Sequence, residues 1–415
     1  MPIKTIQVVR KFSDASWGGA ETVLWNCSKQ LSKNGYDTEI VTTSAFEEVH
    51  NETHSCGLNL HYFPYTYALM NLSKEASLKL DQKGGNPFSL ELLKYLKNSD
   101  CQLLHCHSMG RIARMTKKAA KSLNIPYILT LHGQQKFCDA ERLEIKELTK
   151  DTYDYGWFYG MHIRGKSYFQ QAAGIICHSR QQYKEISRRF PNKLVELIPN
   201  GVNPEKFHAD KEAGENFRNK YKIAMDKKII LCVSRFDYNK NQRLLLQLMN
   251  ELEKKNEHAH LVLIGSVSKQ SYLDMLEQDI ETFRLTNHVT IIKSLATDAP
   301  DLVAAYDAAD CFIMPSIHEP FGIVCLEAWA SGVPVIASDN GGLSELIEHR
   351  ETGLLFKTNC LESLLEKYYI LAKSNSLRKR VIQKSGKEIE EKYAWSIIVK
   401  KLISFYKKVE SNYRK

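Results

Sequence analysis

The sequence predicts the α/β class: two doubly wound halves, each a parallel sheet flanked by helices. Three observations carry this. Short apolar, β-branched runs alternate with longer amphipathic stretches along the whole chain, the pattern of strand–helix–strand units. The alternation breaks at Pro199-Asn200-Gly201-Val202-Asn203-Pro204, which is turn chemistry, and then restarts, so the linker is placed there. The 415 residues exceed one ordinary core, and two domains of about 200 residues each are the expectation. We place the first over 1–200 and the second over 201–394, with a last helix over 395–413.

Composition narrows the class. Hydrophobic residues make up 43% and charged residues 25%, the balance of a soluble globular protein. No apolar run reaches the roughly 18 residues of a membrane span, and the first ten residues read as a strand, not a signal peptide. The ten cysteines form no Cys-x-x-Cys pair. Cys177, Cys232, Cys311 and Cys325 lie in apolar runs, so the expectation is a cytoplasmic protein with reduced core thiols. The net charge of +9 is unevenly spread: residues 1–208 hold 27 Lys+Arg against 20 Asp+Glu, the remainder 30 against 28. A basic first half suits an anionic partner, whether a membrane surface, a lipid-diphosphate acceptor or nucleic acid. It is equally the surface of an ordinary protein of pI near 8.8.

Taken in order, residues 3–9 form a strand that runs into Gly18-Gly19 and a helix closing at Asn34-Gly35. Strand, Gly-Gly loop and helix let backbone amides approach a phosphate, although Gly-Gly is also plain turn chemistry. Strands over 38–43, 102–107, 126–132 and 174–178 follow. Residues 46–87 are poorly patterned and aromatic (Tyr62, Phe63, Tyr65, Tyr67), with no role beyond acceptor contact. On a helix over 111–123, Arg111, Arg114, Lys117, Lys118 and Lys121 share one face; we read it as solvated, with a membrane or acceptor-phosphate patch as the alternative. His132 sits at a strand's C-terminal tip, where open α/β sheets bind ligands. His105-Cys106-His107 lacks a third ligand at metal spacing, so a structural or hydrogen-bonding role is expected. Residues 140–171 read as a helix whose aromatics (Tyr153, Tyr155, Trp157, Phe158, Tyr159) belong to a core. The second half brings strands at 228–234, 260–265, 289–292 and 311–314. On the last helix Ile398, Leu402, Phe405 and Val409 fall at helical spacing and pack one side.

The chain is organised around His318-Glu319-Pro320-Phe321-Gly322-Ile323-Val324-Cys325-Leu326-Glu327. Glu319 and Glu327 are separated by seven residues, one in a Pro/Gly turn after a strand, the other inside the following helix. Free amides at a helix start face an anion or a polyol, and two acceptor-only carboxylates suit hydroxyl-rich ligands. A buried helix with one capping and one exposed Glu is the plainer reading. Upstream, Arg235 and Lys240 lie past a strand tip with four residues between them. Two cations beside a helix start hold a diphosphate and neutralise charge as a group leaves, taking the part Mg²⁺ plays elsewhere; the plainer reading is surface charge at a helix end.

Glu319-Pro-Phe-Gly-Ile-Val-Cys-Leu-Glu327, with Gly332-Val-Pro-Val-Ile-Ala and Gly341-Gly342 behind it, resembles the Glu-x7-Glu signature of retaining GT-B glycosyltransferases, specifically glycosyltransferase family 4. The resemblance is strong in the second half and weak in the first. It implies a GT-B fold, two Rossmann-like domains facing an interdomain cleft. The first domain would bind the acceptor, with the last helix crossing back to it, and the second would bind a nucleotide-diphosphate sugar. It further implies that Glu319 and the amides around Phe321, Gly322 and Ile323 hold donor-sugar hydroxyls, and that Glu327 holds the ribose. Arg235 and Lys240 would hold the diphosphate above Gly18 and Gly19, and His132 would border the donor sugar. No protein nucleophile, metal or organic cofactor is implied, because an oxygen of the departing diphosphate is thought to take the acceptor proton. Gln134-Gln135-Lys136 after His132, and Ile292-Lys293-Ser294 where many relatives have a Gly, depart from the pattern.

The function expected is retaining sugar transfer to a glycan or lipid-linked acceptor, in bacterial surface-polysaccharide or lipopolysaccharide synthesis, at or near the inner face of a membrane. A non-hydrolysing nucleotide-sugar epimerase shares the two-domain shape, and a glycan phosphorylase needs a Lys-bound pyridoxal group. A nucleotide- or nucleic-acid-binding module is the non-enzymatic alternative. It ranks last, since no nucleic-acid motif accompanies the basic residues.

Overall fold

The computed structural model describes residues 2–12, 18–44, 50–53, 56–67, 69–82, 85–132, 152–154, 167–208, 210–293, 295 and 299–414. They divide into two compact units, one gathering the chain up to Pro199 together with Val399 onward, the other holding Asn200–Ile398.

In the first unit, β1 (Lys4–Lys11), β2 (Asp37–Ser44), β3 (His50–Thr53), β4 (Asn59–Pro64), β6 (Leu103–Cys106), β7 (Tyr127–Leu131), β9 (Gly174–Cys177) and β10 (Val195–Leu197) form one sheet. Its order is β10-β9-β7-β6-β1-β2-β4-β3, parallel except where β3 runs against β4. Strand β5 (Leu69–Met70) pairs antiparallel with β8 (Tyr153–Asp154) apart from it. Alternate residues Ile6, Val8, Leu104, Cys106, Leu129, Leu131, Ile175 and Cys177 build the core on one face. The residues between them include Thr5, Gln7, His105 and Thr130, all buried, and these point to the opposite face. The C-terminal helix (Trp395–Tyr413) covers that face. Tyr406 reaches Gln7 and His105, and Gly174 leaves room for the helix, because a Cβ there would stand 2.7 Å from Phe405 Cζ and 2.8 Å from Val409 Cγ2.

Three expectations for this unit are corrected. Within the poorly patterned 46–87 stretch, Asn59–Pro64 is a full strand of the main sheet. Its half-buried positions are Asn59, His61, Tyr62 and Pro64, so no apolar alternation announces it. Tyr153–Asp154, expected in a helix, are strand, and Tyr153 is 72% exposed, not core; the other aromatics of that stretch, Tyr155, Trp157, Phe158 and Tyr159, lie outside the described residues. On helix α2 (Arg111–Leu123), which follows α1 (Gly19–Lys33), Arg111 and Arg114 are buried. Arg111 Nη1 donates to Asn86 O at 2.8 Å and Arg114 lies over the Tyr168 ring, so the solvated face is left to Lys118 and Lys121, which are exposed.

In the second unit, β11 (Lys228–Val233), β12 (Ala259–Gly265), β13 (Val289–Lys293), β14 (Cys311–Met314), β15 (Val335–Ser338) and β16 (Leu354–Phe356) form a wholly parallel sheet in the order β13-β12-β11-β14-β15-β16. Ile229, Leu231, Phe312, Met314, Val335 and Ala337 enter the core on one face, and Ile230, Cys232, Cys311, Ile313 and Ile336 the core on the other. Continuous apolar strands are what a sheet covered on both faces requires. The order reverses between β11 and β14. In open α/β sheets the crevice beyond the carboxyl ends of strands at such a reversal is the place for a ligand.

Candidate active site

Beyond β11 the chain is fixed by one buried amide. Gln242, 1% exposed, donates through Nε2 to Ser234 Oγ at 2.9 Å and to Arg235 O at 2.8 Å. Gly265, ending β12, lets the two strand tips touch, since a Cβ there would stand 2.0 Å from Ser234 O. Asp237 caps the short turn Tyr238–Lys240 by accepting from Asn239 N at 2.9 Å, and Asn241 takes the left-handed conformation at φ 52°. The turn delivers Lys240 inward, and helix α3 (Arg243–Lys254) begins behind it. Arg235 remains exposed.

Beyond β14 a polar lattice holds Glu319. Ser316 O accepts from Ser338 Oγ and from Asn340 Nδ2, each at 2.5 Å. Asn340 Oδ1 accepts from Glu319 N at 3.2 Å, and Glu319 O accepts from Gly342 N at 3.0 Å. The Glu319 backbone is therefore pinned between the ends of β14 and β15. Its carboxylate Oε2 accepts from Lys240 Nζ at 2.6 Å, joining the loops on either side of the sheet's reversal. Helix α5 (Ile323–Ala330), which follows α4 (Pro300–Ala308), starts at Gly322, whose φ of 93° is left-handed, and has no side-chain cap. Cys325 N turns back to Gly322 O at 3.0 Å, which leaves the amides of Ile323 and Val324 to face a ligand. Phe321 is buried beside them.

Glu327 differs from Glu319. It is buried in α5 and its Oε2 accepts from Tyr306 Oη, on α4, at 2.8 Å. Burial pushes its carboxyl up, opposed by the Tyr306 hydroxyl and by Lys206. One acid therefore answers a cation and the other a phenol.

A second polar cluster lies at the strand tips of the first unit. His107 Nδ1 is 3.0 Å from His132 Nε2 and His107 Nε2 is 3.0 Å from Gln7 Oε1. His105 contacts Tyr406 Oη at 2.7 Å and Thr130 Oγ1 at 2.6 Å. His178 Nδ1 donates to Ile198 O at 2.8 Å. The rings of His107 and His132 stack at 5.2 Å, and His132 lies 5.0 Å from His178. Burial, first among the causes, holds all four imidazoles below the usual histidine range, His105 at about 3 and His178 at about 4. Among the described residues no group of three or more His, Cys, Asp or Glu is placed to hold a metal; His105 and His107 serve in hydrogen bonds. In the same unit Gly18 and Gly19 open α1, where Glu21 Oε2 accepts from Gly18 N at 3.0 Å.

Comparison with known proteins settles the family. The sequence model described as Glycosyltransferase Family 4 matches residues 17–206, and that described as Glycosyl transferases group 1 matches residues 214–388. The chain belongs to glycosyltransferase family 4. An uncharacterized glycosyltransferase of Methanocaldococcus jannaschii is 30% identical over 57% of this chain and 60% of its own length. A GDP-mannose-dependent alpha-(1-6)-phosphatidylinositol monomannoside mannosyltransferase of Mycobacterium tuberculosis is 29% identical over 52% of this chain and 56% of its own. The matches thus span somewhat over half the length of these curated relatives. The structure of Anabaena HepE in complex with UDP superposes with a TM-score of 0.72 at 16% identity, covering 98% of this chain and 100% of that one, which shows the GT-B fold.

For a family 4 chain, several side chains that build the site carry no signal of their own. Asn340, Gln242 and Tyr306 act through hydrogen bonds that include partners 24, 7 and 21 positions away. Asn340, just before Gly341-Gly342, has the nearest thing to a local cue. The other two read as unremarkable helix residues. No helix among the described residues is long and apolar enough to cross a membrane.

Proposed function

We propose that the chain transfers a sugar from a nucleotide-diphosphate sugar to a glycan or lipid-linked acceptor, with retention at the anomeric carbon and without a metal ion. The observation that carries the reading is the Lys240–Glu319 pair, 2.6 Å apart, at the reversal of the second sheet. Lys240, the exposed Arg235 and the uncapped amides of α5 supply positive field for a leaving diphosphate. Glu319 orients a sugar hydroxyl and Glu327, set by Tyr306, a ribose hydroxyl. In the first unit His132 is assigned to a sugar hydroxyl and the Gly18-Gly19 turn to phosphate contact, through Gly19 and not through Gly18 N, which donates to Glu21 Oε2. A diphosphate oxygen takes the acceptor proton as the new glycosidic bond forms, so Glu319 positions and stabilises without becoming a nucleophile. The mannosyltransferase relative and the UDP complex of HepE support a nucleotide-linked donor. That relative's acceptor supports a lipid-linked one, met at the cytoplasmic face of a membrane.

A panel of nucleotide sugars, supplied with EDTA, tests this. One should be turned over or slowly hydrolysed, and the true donor should raise thermal stability, since a ligand at 100 times its Kd adds about 2.7 kcal/mol. Glu319→Ala and Lys240→Ala should each lose at least ~10²-fold in turnover. Wild-type rates in both variants would reject the assignment.

A further inference from the structure

We propose that Gln7, His107 and Tyr406 are positioning residues: they form a one-way hydrogen-bond chain that fixes His132 as its Nε2–H tautomer and keeps His132 Nδ1 as a standing acceptor for a ligand hydroxyl. The carboxamide oxygen of Gln7 only accepts and its nitrogen only donates. Gln7 Nε2 donates to Tyr406 Oη at 3.2 Å, so Gln7 Oε1 faces His107 Nε2 at 3.0 Å and that nitrogen must carry the proton. A buried neutral His107 then has a lone pair on Nδ1. Its neighbour at 3.0 Å, His132 Nε2, must donate to it, which leaves the lone pair of His132 on Nδ1. In the other direction Tyr406 Oη, having accepted from Gln7, donates to His105 Nδ1 at 2.7 Å, and His105 Nε2 donates to Thr130 Oγ1 at 2.6 Å. Every contact then has one donor and one acceptor.

The chain orients and does not conduct, because the amide of Gln7 cannot pass a proton along as a hydroxyl or imidazole can. It also has a single point of control. Turning the Gln7 amide over would reverse all five bonds together and put the proton on His132 Nδ1. The neighbouring ring is fixed independently of Gln7. His178 spends its Nδ1 proton on Ile198 O, so its buried Nε2 is a lone pair without a partner among the described residues. Two adjacent neutral imidazoles thus offer acceptors, which suits a hydroxyl-bearing, uncharged part of a ligand. That this part belongs to the donor sugar rests on the reading above; the tautomer does not.

The test is nitrogen NMR of the full chain labelled with ¹⁵N-histidine at pH 7, without ligand, with His132 assigned from the signal lost in His132→Asn. The expected wild-type spectrum shows His132 protonated on Nε2 with an imine-type Nδ1. In Gln7→Leu the two nitrogens should average between tautomers, and kcat should fall about tenfold with KM changed less than about twofold. Gln7→Glu, which keeps an acceptor toward His107, should restore the Nε2–H signature. Tyr406→Phe removes one hydroxyl and serves where Gln7→Leu fails to fold; it should also loosen the tautomer. A wild-type His132 protonated on Nδ1, or a tautomer indifferent to both Gln7→Leu and Tyr406→Phe, overturns the proposal. A fixed tautomer together with full turnover in His132→Asn would leave the chain of hydrogen bonds standing and remove His132 from the donor site.

Discussion

Lys240 and Glu319 keep 16% and 11% of their side chains exposed, a setting between two regimes. A fully exposed pair contributes about 0–1 kcal/mol. Removing one partner of a buried pair costs about 3–5 kcal/mol, mostly because the other charge is stranded. Lys240→Met should therefore destabilise the second unit by about 2–3 kcal/mol in urea unfolding at pH 7. Adding Glu319→Gln to it should recover at least half of that loss, because an amide is cheaper to bury alone than a carboxylate. Turnover should stay lost in the double variant. Equal stabilities of the single and double variants would mean that the pair is solvated and that its charge state is set elsewhere.

At the level of elements, the loops that carry the site are held by close backbone approach. A Cβ on Gly342 would stand 2.2 Å from Pro320 O and 2.6 Å from Phe321 N, atoms of backbone that cannot swing aside. Gly342→Ala, at the start of α6 (Gly341–Leu346), should cost about 1–3 kcal/mol in thermal unfolding. It should also weaken donor binding by displacing Glu319. Gly386→Ala, on a helix where a Cβ meets nothing within 4 Å, should leave both measurements unchanged or stabilise slightly. This contrast also marks what the sequence made legible. The second sheet was readable because both of its faces are apolar, and the Lys240–Glu319 pair because both residues lie just past strand tips. Asn59–Pro64 was not, since its packing partners lie on β2 and its own pattern is mixed. Nor was the burial of Arg111, which depends on Asn86 O, 25 positions back. Still less so was the contact of His105 with Tyr406, 301 residues apart: spacing along a chain carries no information about a hydrogen bond that only the finished fold creates.

Across the whole molecule the two units differ in how much neutral histidine they enclose, and this fixes how each answers acid. In the first unit burial lowers His61, His105, His107, His132 and His178; in the second, among the described residues, it lowers His260 and His349. The unfolded chain protonates each near pH 6.5, whereas the folded chain waits until about pH 4 for His178 and about pH 3 for His105. Between those values the unfolded state binds more protons, so stability falls as pH falls. The slope is about 1.4 kcal/mol per pH unit for every imidazole kept neutral. The raised carboxyl of Glu327 works the other way, since acid relieves its burial. Lowering pH from 7.5 to 5.5 should therefore shift unfolding of the first unit to much lower urea than that of the second. The buried thiols Cys27, Cys101, Cys106 and Cys177 report on the first unit, and Cys232, Cys311 and Cys325 on the second. Pulse labelling with a dithiodipyridine reagent, which reacts in acid, should mark the first set well before the second at pH 5.5 and nearer together at pH 7.5. If both sets shift equally with pH, the histidines of the first unit are hydrated enough to charge in place, and the tautomer chain that depends on their neutrality fails with them.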